Sequence, residues 1–205
     1  MTRKIRDFDE ILRAASDAFI ERGFEHARVE DIASSLGILK SSLYHHVSGK
    51  SELMYLVVRE VIQRRIAWVA EVLSDESEPP RVRLEKAVRG HLCFFLTDRT
   101  APLVQASSLD GMSEEHRAEA IKLFSTYGRL FGRILRDAIE AGDIRSDIDA
   151  SVLVQMLFGM LNSVPHWYDP AGRLDEHAVL EQAFSLCMSG LVGPPADGAP
   201  PSPTP

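Results

Sequence analysis

Cysteine is scarce: Cys93 and Cys187 are the only two in 205 residues, and neither has a His or Cys partner at metal-ligand spacing. That argues against a disulfide framework and against a zinc site. Each lies in an apolar helical pattern, so both are expected to be buried free thiols. Long apolar runs are missing too. The longest, such as Val152 to Leu161, fall short of the roughly 20 residues that span a bilayer, so no membrane partner is expected. Met1 to Glu10 is charged and lacks the apolar centre of a signal peptide, which makes the cytoplasm the expected location. No run of alternating β-branched residues reads as a strand. There is no G-x-S-x-G, H-E-x-x-H, P-loop or dinucleotide fingerprint, so the chain is read as a non-enzyme without cofactor or metal. A helical enzyme without a local motif is the distant alternative.

Positive charge is also in deficit, with a net charge of -7, but it is unevenly placed. From Met1 to Lys50 the basic residues Arg3, Lys4, Arg6, Arg13, Arg22, Arg28, Lys40 and Lys50 balance the acidic ones, so the net negative charge lies beyond residue 50. Ile32 to Lys50 contains no Asp or Glu. This stretch can approach a phosphate backbone without like-charge repulsion.

What is present is helical period. Phe8, Ile11, Leu12, Ala15, Ala18 and Phe19 recur at i, i+3, i+4 spacing, predicting a first helix that stops at Gly23. A short helix follows from about Val29 to Leu36, with Ile32, Ala33 and Leu36 facing inward. Gly37 supplies the positive φ of a tight turn, and a third helix runs from about Lys40 to His46. Short helix, glycine turn, short helix is the helix-turn-helix pattern. A longer helix runs from Lys50 towards Leu73 and ends at the acidic, proline-bearing stretch Ser74 to Pro80. Further helices fit Arg81 to Thr97, Pro102 to Leu109, Ser113 to Ala141, Asp149 to Ser163 and Asp175 to Leu191. Ser113, Asp149 and Asp175 supply caps, and Gly142 a left-handed stop. The fold class is therefore all-α. Residues 1–50 are expected to form a three-helix, helix-turn-helix domain, 51–192 a larger helical domain, and 193–205, rich in proline and glycine, a disordered tail.

Ile11 to Leu56 carries A-x-x-x-F-x-x-x-G-F ending at Phe24, D-I-A at Asp31 to Ala33, L-G-I at Leu36 to Ile38, S-L-Y-H-H at Ser42 to His46 and K-S-E-L at Lys50 to Leu53. Together and in this order they resemble the N-terminal domain of the TetR family of transcriptional regulators. The resemblance implies a homodimeric repressor that binds a palindromic double-stranded DNA operator and is released by a small-molecule effector. A recognition helix needs short polar donors at its N-terminal end and an apolar anchor behind it. Leu43 and Val47 suit the anchor, while Arg28, Lys40, Ser41, Ser42, Tyr44 and His45 are the candidate DNA contacts. Lys50 is expected to join them by offering its ammonium to a phosphate. Arg28 stands where many members carry Thr or Ser, so it cannot cap the second helix through a side-chain oxygen. The arm Arg3, Lys4 and Arg6 is a candidate for a minor groove.

In the C-terminal half, Asp149 to Ser163 and Asp175 to Leu191 are apolar over more than one stripe and need burial on two sides. The resemblance supplies the second partner as another copy of the chain, with Gly159 and Gly190 permitting close approach. The stretch Gly159 to Asp175, with Trp167, Tyr168 and Pro170, resembles a subset of the family that includes acyl-CoA-responsive repressors. An effector pocket is expected among His91, Phe94, Phe95, Gln105, Phe124, Tyr127, Phe131, Met156, Phe158, Asn162 and Trp167. The effector implied is an acyl-CoA thioester. The alternative is a hydrophobic drug-like molecule sensed by a regulator of efflux or antibiotic response.

Overall fold

A computed structural model describes residues 8–104 and 109–192. The basic arm Arg3, Lys4 and Arg6, Gln105 and the tail from residue 193 lie outside the described residues. Within them every regular element is helical. In chain order these are α1 (Phe8–His26), α2 (Val29–Ser35), α3 (Lys40–Tyr44), α4 (Lys50–Ser74), α5 (Pro80–Thr97), a 3-10 turn (Ala101–Val104), α6 (Glu114–Glu140), α7 (Ala150–Leu161), α8 (Val164–Trp167) and α9 (Glu176–Val192). Of the expected helix over Pro102 to Leu109, the described residues show the 3-10 turn at its start, and residues 105–108 lie outside them. The short α8, inside the expected loop before the last helix, starts with Pro165 in its first turn, where a missing N–H costs nothing. No described helix is long and apolar enough to cross a membrane.

The chain divides into two compact units. One takes its residues from Met1–Ile66 and Arg99–Thr126, the other from Ala67–Asp98 and Tyr127–Pro205, so α4 and α6 each contribute to both.

In the first unit α1 packs on α2 and α2 on α3. Ile11, Ala15 and Phe19, spaced by four, are buried with Ile32, Leu43, Leu53 and Val57 in one core that also takes in Leu103. Phe124 packs against this core. Gly23 interrupts α1 with φ 72° and ψ 161°, a conformation open to glycine. Tyr55 on α4 donates its hydroxyl to Glu119 on α6, and its ring lies parallel to His116 with centroids 4.3 Å apart.

In the second unit α5 packs along α9 and against α8. Leu84, Leu92, Phe131, Ile134, Leu135 and Leu161 are fully buried. The backbone N–H of Arg81, left without an intrahelical acceptor in the first turn of α5, donates to Asp143 at 3.0 Å. Arg83 donates to the carbonyl of Leu73 at 2.8 Å and pairs with Asp137 at 3.3 Å. The predicted caps form: Asp149 accepts from the Ser151 N–H at 2.8 Å, Asp175 from the Ala178 N–H at 2.8 Å and, in the first unit, Ser113 from the His116 N–H at 3.3 Å. The thiols differ from expectation. Cys187 is buried, but Cys93 is exposed, although its neighbours Leu92 and Phe94 on α5 are buried.

Candidate nucleic-acid interface and effector site

The turn between α2 and α3 is fixed by its own backbone. α2 closes with the Gly37 N–H on the Ser34 carbonyl and the Ile38 N–H on the Ala33 carbonyl, both 3.0 Å, with Gly37 at φ 69°. This is the paired closure in which a left-handed residue follows the helix cap, and the buried Ile38 supplies its apolar contact. The chain then re-enters a helix at once. Leu43 is wholly buried and Val47 nearly so, which seats α3 by the side expected. Arg28, Lys40, Ser41, Tyr44 and His45 remain exposed and Ser42 half-buried.

Two ion pairs tie these short helices together: Arg22 to Asp31 links α1 to α2, and Lys40 to Glu30 links α3 to α2. Hydrogen bonding to Glu30 raises the Lys40 ammonium above its ordinary value, so the cation stays charged at neutral pH. Its nitrogen also lies 5.6 Å from the Tyr44 ring centroid. Both pairs are solvent-exposed, where such contacts are weak enough to exchange for a phosphate.

Lys50 is placed differently from expectation. Its ammonium donates to the carbonyls of Phe24 at 2.8 Å and Glu25 at 3.1 Å, and lies 4.4 Å from the Phe24 ring centroid. The carbonyls following Gly23 need donors, and a cation is well suited to them. Lys50 thus anchors α4 to the end of α1. Beside it, Glu52 accepts from the Ser48 N–H at 2.6 Å and hydroxyl at 2.7 Å, bonds that hold its carboxyl below the usual range. Glu52 is the third residue of α4, where a glutamate commonly reaches back to N–H groups ahead of the helix.

In the second unit seven of the predicted effector residues come together. His91, itself buried, faces the Tyr127 hydroxyl with Nδ1 at 3.0 Å and the Asn162 amide oxygen with Nε2 at 3.0 Å. Its ring stacks on Phe158 with centroids 4.9 Å apart and meets Phe95 and Phe131 edge-on at 5.0 and 6.0 Å. Phe94 is buried alongside Phe95 at 5.1 Å. Four aromatic rings around one imidazole make an apolar cluster with a short polar spine through Tyr127, His91 and Asn162.

The other expected lining residues among the described ones, Phe124, Met156 and Trp167, do not join this cluster. Phe124 belongs to the core of the first unit. Met156 is 63% exposed and Trp167 58%, because α7 and α8 turn those positions outward. Trp167 donates to the Ser163 hydroxyl at 3.3 Å and borders a surface groove of about 430 Å³ with Met160, Leu174 and Leu186. Val152 and Met156 on α7 and Leu186 on α9 are likewise exposed.

Residues 11–55 match the family model described as bacterial regulatory proteins, tetR family, and residues 77–191 match that for the tetracyclin repressor-like C-terminal domain. The chain belongs to the TetR family. Among curated relatives of this TetR-family regulator, the transcriptional repressor KstR2 of Rhodococcus jostii is 26% identical over 186 residues, covering 90% of this chain and 91% of its own. The fatty acid metabolism regulator protein of Bacillus subtilis is 21% identical over 192 residues, covering 93% and 98%. Among solved structures, AibR in complex with isovaleryl coenzyme A and operator DNA superposes with a TM-score of 0.76 at 21% identity, over 87% of this chain and 96% of that one. In the TetR-family frame the N-terminal match covers α1 to α3 and the start of α4, the segment that carries the exposed α3 residues.

Proposed function

We propose that the chain is a ligand-responsive transcriptional repressor of the cytoplasm that binds a palindromic operator as a homodimer and is released by a small-molecule effector, an acyl-CoA thioester. Residues 1–50 are the DNA-binding domain and 51–192 the ligand-binding and dimerisation domain. The observation that carries this reading is the exposed side of α3. Lys40, Ser41, Ser42, Tyr44 and His45 stand in a stretch that has no carboxylate from Ile32 to Lys50, on or just after a helix only five residues long and anchored by Leu43, and Arg28 joins them from the start of α2. Such a helix fits a major groove end-on, with short donors for bases and a tyrosine hydroxyl and a lysine for phosphates. Lys50 serves here as a positioning residue that fixes the head on α4.

Two heads need two copies. The exposed apolar positions Val152 and Met156 share one face of α7 with Gly159, and Leu186 shares one of α9 with Ser189 and Gly190. An added Cβ at Gly159 or Gly190 meets nothing within 4 Å, which leaves room for a partner backbone. A two-fold pair joined there presents α3 twice, and pairing buries the surface the monomer leaves wet.

The effector reading rests on the His91 cluster, and it draws support from the naming of relatives after fatty acid metabolism and from AibR's complex with isovaleryl coenzyme A. An effector that prefers one head separation shifts the population of dimers away from the one the operator selects. Gel-shift binding of the full chain to the DNA flanking its own gene tests both parts. The expected result is salt-sensitive binding relieved by CoA thioesters and unaffected by the matching free acids. Absence of any binding overturns the repressor, and binding indifferent to every thioester overturns the effector.

A further inference from the structure

Among the large hydrophobic side chains that the described residues leave in water, Val152, Met156 and Leu186 belong to the faces of α7 and α9 assigned above to pairing. Leu39 does not. It lies immediately before α3, beside Lys40, and is 59% exposed, more than Tyr44 at 44%. Its backbone is locked to the first turn of α3: its carbonyl accepts from the Ser42 N–H at 3.0 Å and the Leu43 N–H at 3.3 Å. The direction of its Cα–Cβ bond is therefore fixed relative to Ser42 and Tyr44. It forms no side-chain cap, so the leucine itself does nothing for the helix start.

The polar residues around it have polar targets on DNA, but a leucine can neither donate nor accept. On the base edges of a major groove one group is apolar, the C5-methyl of thymine. We propose that Leu39 is a specificity-determining residue that reads a thymine methyl in each operator half-site. This inference rests on the DNA-binding reading above, and it adds a base preference to a surface otherwise composed of phosphate and hydrogen-bond contacts.

The test uses the full chain and a duplex it selects from a random-sequence library. Each thymine in turn is replaced by deoxyuridine, which removes the methyl and leaves pairing intact, and affinity is followed by fluorescence anisotropy for the wild type and Leu39→Ala. One thymine position common to both half-sites is expected to be sensitive. Loss of its methyl weakens wild-type binding about fourfold per half-site, the transfer worth of one buried methyl. Leu39→Ala, with unchanged helical dichroism, shows no sensitivity there and binds the unmodified duplex several-fold more weakly than the wild type. A palindrome with no sensitive thymine, or one whose sensitivity persists in Leu39→Ala, overturns this inference alone. A chain that selects no duplex overturns the DNA-binding reading and this inference with it.

Discussion

Replacing Gly90 by alanine tests the packing that joins α4 to α5 next to the aromatic cluster. A Cβ at Gly90 falls 2.1 Å from Cη2 and 2.2 Å from Cζ2 of Trp68, where carbon atoms in contact sit about 3.5–4.0 Å apart. Either the indole or the α5 backbone has to retreat by roughly 1.5 Å. Two effects oppose each other. In a helix interior alanine is better than glycine by about 1 kcal/mol, and forcing a methyl into a filled site costs about 1–3 kcal/mol. Because the overlap is with two atoms of a rigid ring, the cost falls at the upper end and the net loss is about 1–2 kcal/mol. In a chain of this size that lowers Tm by roughly 2–8 °C. Urea unfolding of the wild type, Gly90→Ala, Trp68→Leu and the double variant separates the effects. With leucine at position 68 the clash is gone, and Gly90→Ala becomes neutral or stabilising by up to about 1 kcal/mol. A Gly90→Ala protein at least as stable as the wild type with Trp68 present would refute the close packing. His91 is the next residue, so the same variant is expected to weaken any effector that stabilises the wild type in thermal shift.

Burial pushes the Cys187 thiol up to about 11, so at pH 8 it is almost wholly protonated; a thiol reagent is expected to titrate one group, the exposed Cys93, in the native chain and a second only after denaturation. Asp149 is held below the usual carboxylate range by the Ser151 hydroxyl and N–H. Its folded value being depressed, the stabilisation is complete above about pH 4, the value of an unfolded aspartate, and is lost as pH falls through the lower folded value. Melts of Asp149→Ala should therefore lie below the wild type at pH 7 and converge with it at strongly acidic pH. Lys50→Met removes the donor from the Phe24 and Glu25 carbonyls; in this half-buried setting the expected loss is about 1–2 kcal/mol in chemical unfolding, and an unchanged midpoint would count against the anchoring role.

The helix starts and stops were legible because each is written in local chemistry. Gly37 ends α2 with a positive φ, and Asp149 and Asp175 cap where their side chains can reach. The α3 anchor was legible too, since Leu43 and Val47 share one side of a single turn. What escaped was chemistry between residues distant in sequence. Nothing near Lys50 announces a contact with carbonyls 25 and 26 residues earlier, nor does Asp143 announce that it serves the first turn of α5. α7 is apolar on nearly all sides, so period alone could not tell Leu157, which is buried, from Met156, which is exposed. Phe95, Tyr127, Phe131 and Phe158 meet around His91 because α5, α6 and α7 each turn an aromatic position towards it. Phe124 sits one turn earlier on α6 than Tyr127 and Gly128, and falls in the other unit.

The central claim is that the exposed side of α3, presented twice, holds a palindromic duplex. Its most direct measurement is equilibrium binding of the full chain to a selected palindrome and to the same duplex with one half-site scrambled, over a series of salt concentrations. The account predicts two protomers per palindrome, affinity that falls linearly in log–log form with salt, and a loss of at least about tenfold on scrambling. The variant Lys40→Ala with Tyr44→Phe should lose affinity and show a shallower salt slope while dimer and helicity stay unchanged. Equal affinity for the intact and scrambled duplexes, or wild-type affinity and salt slope in that variant, would contradict it.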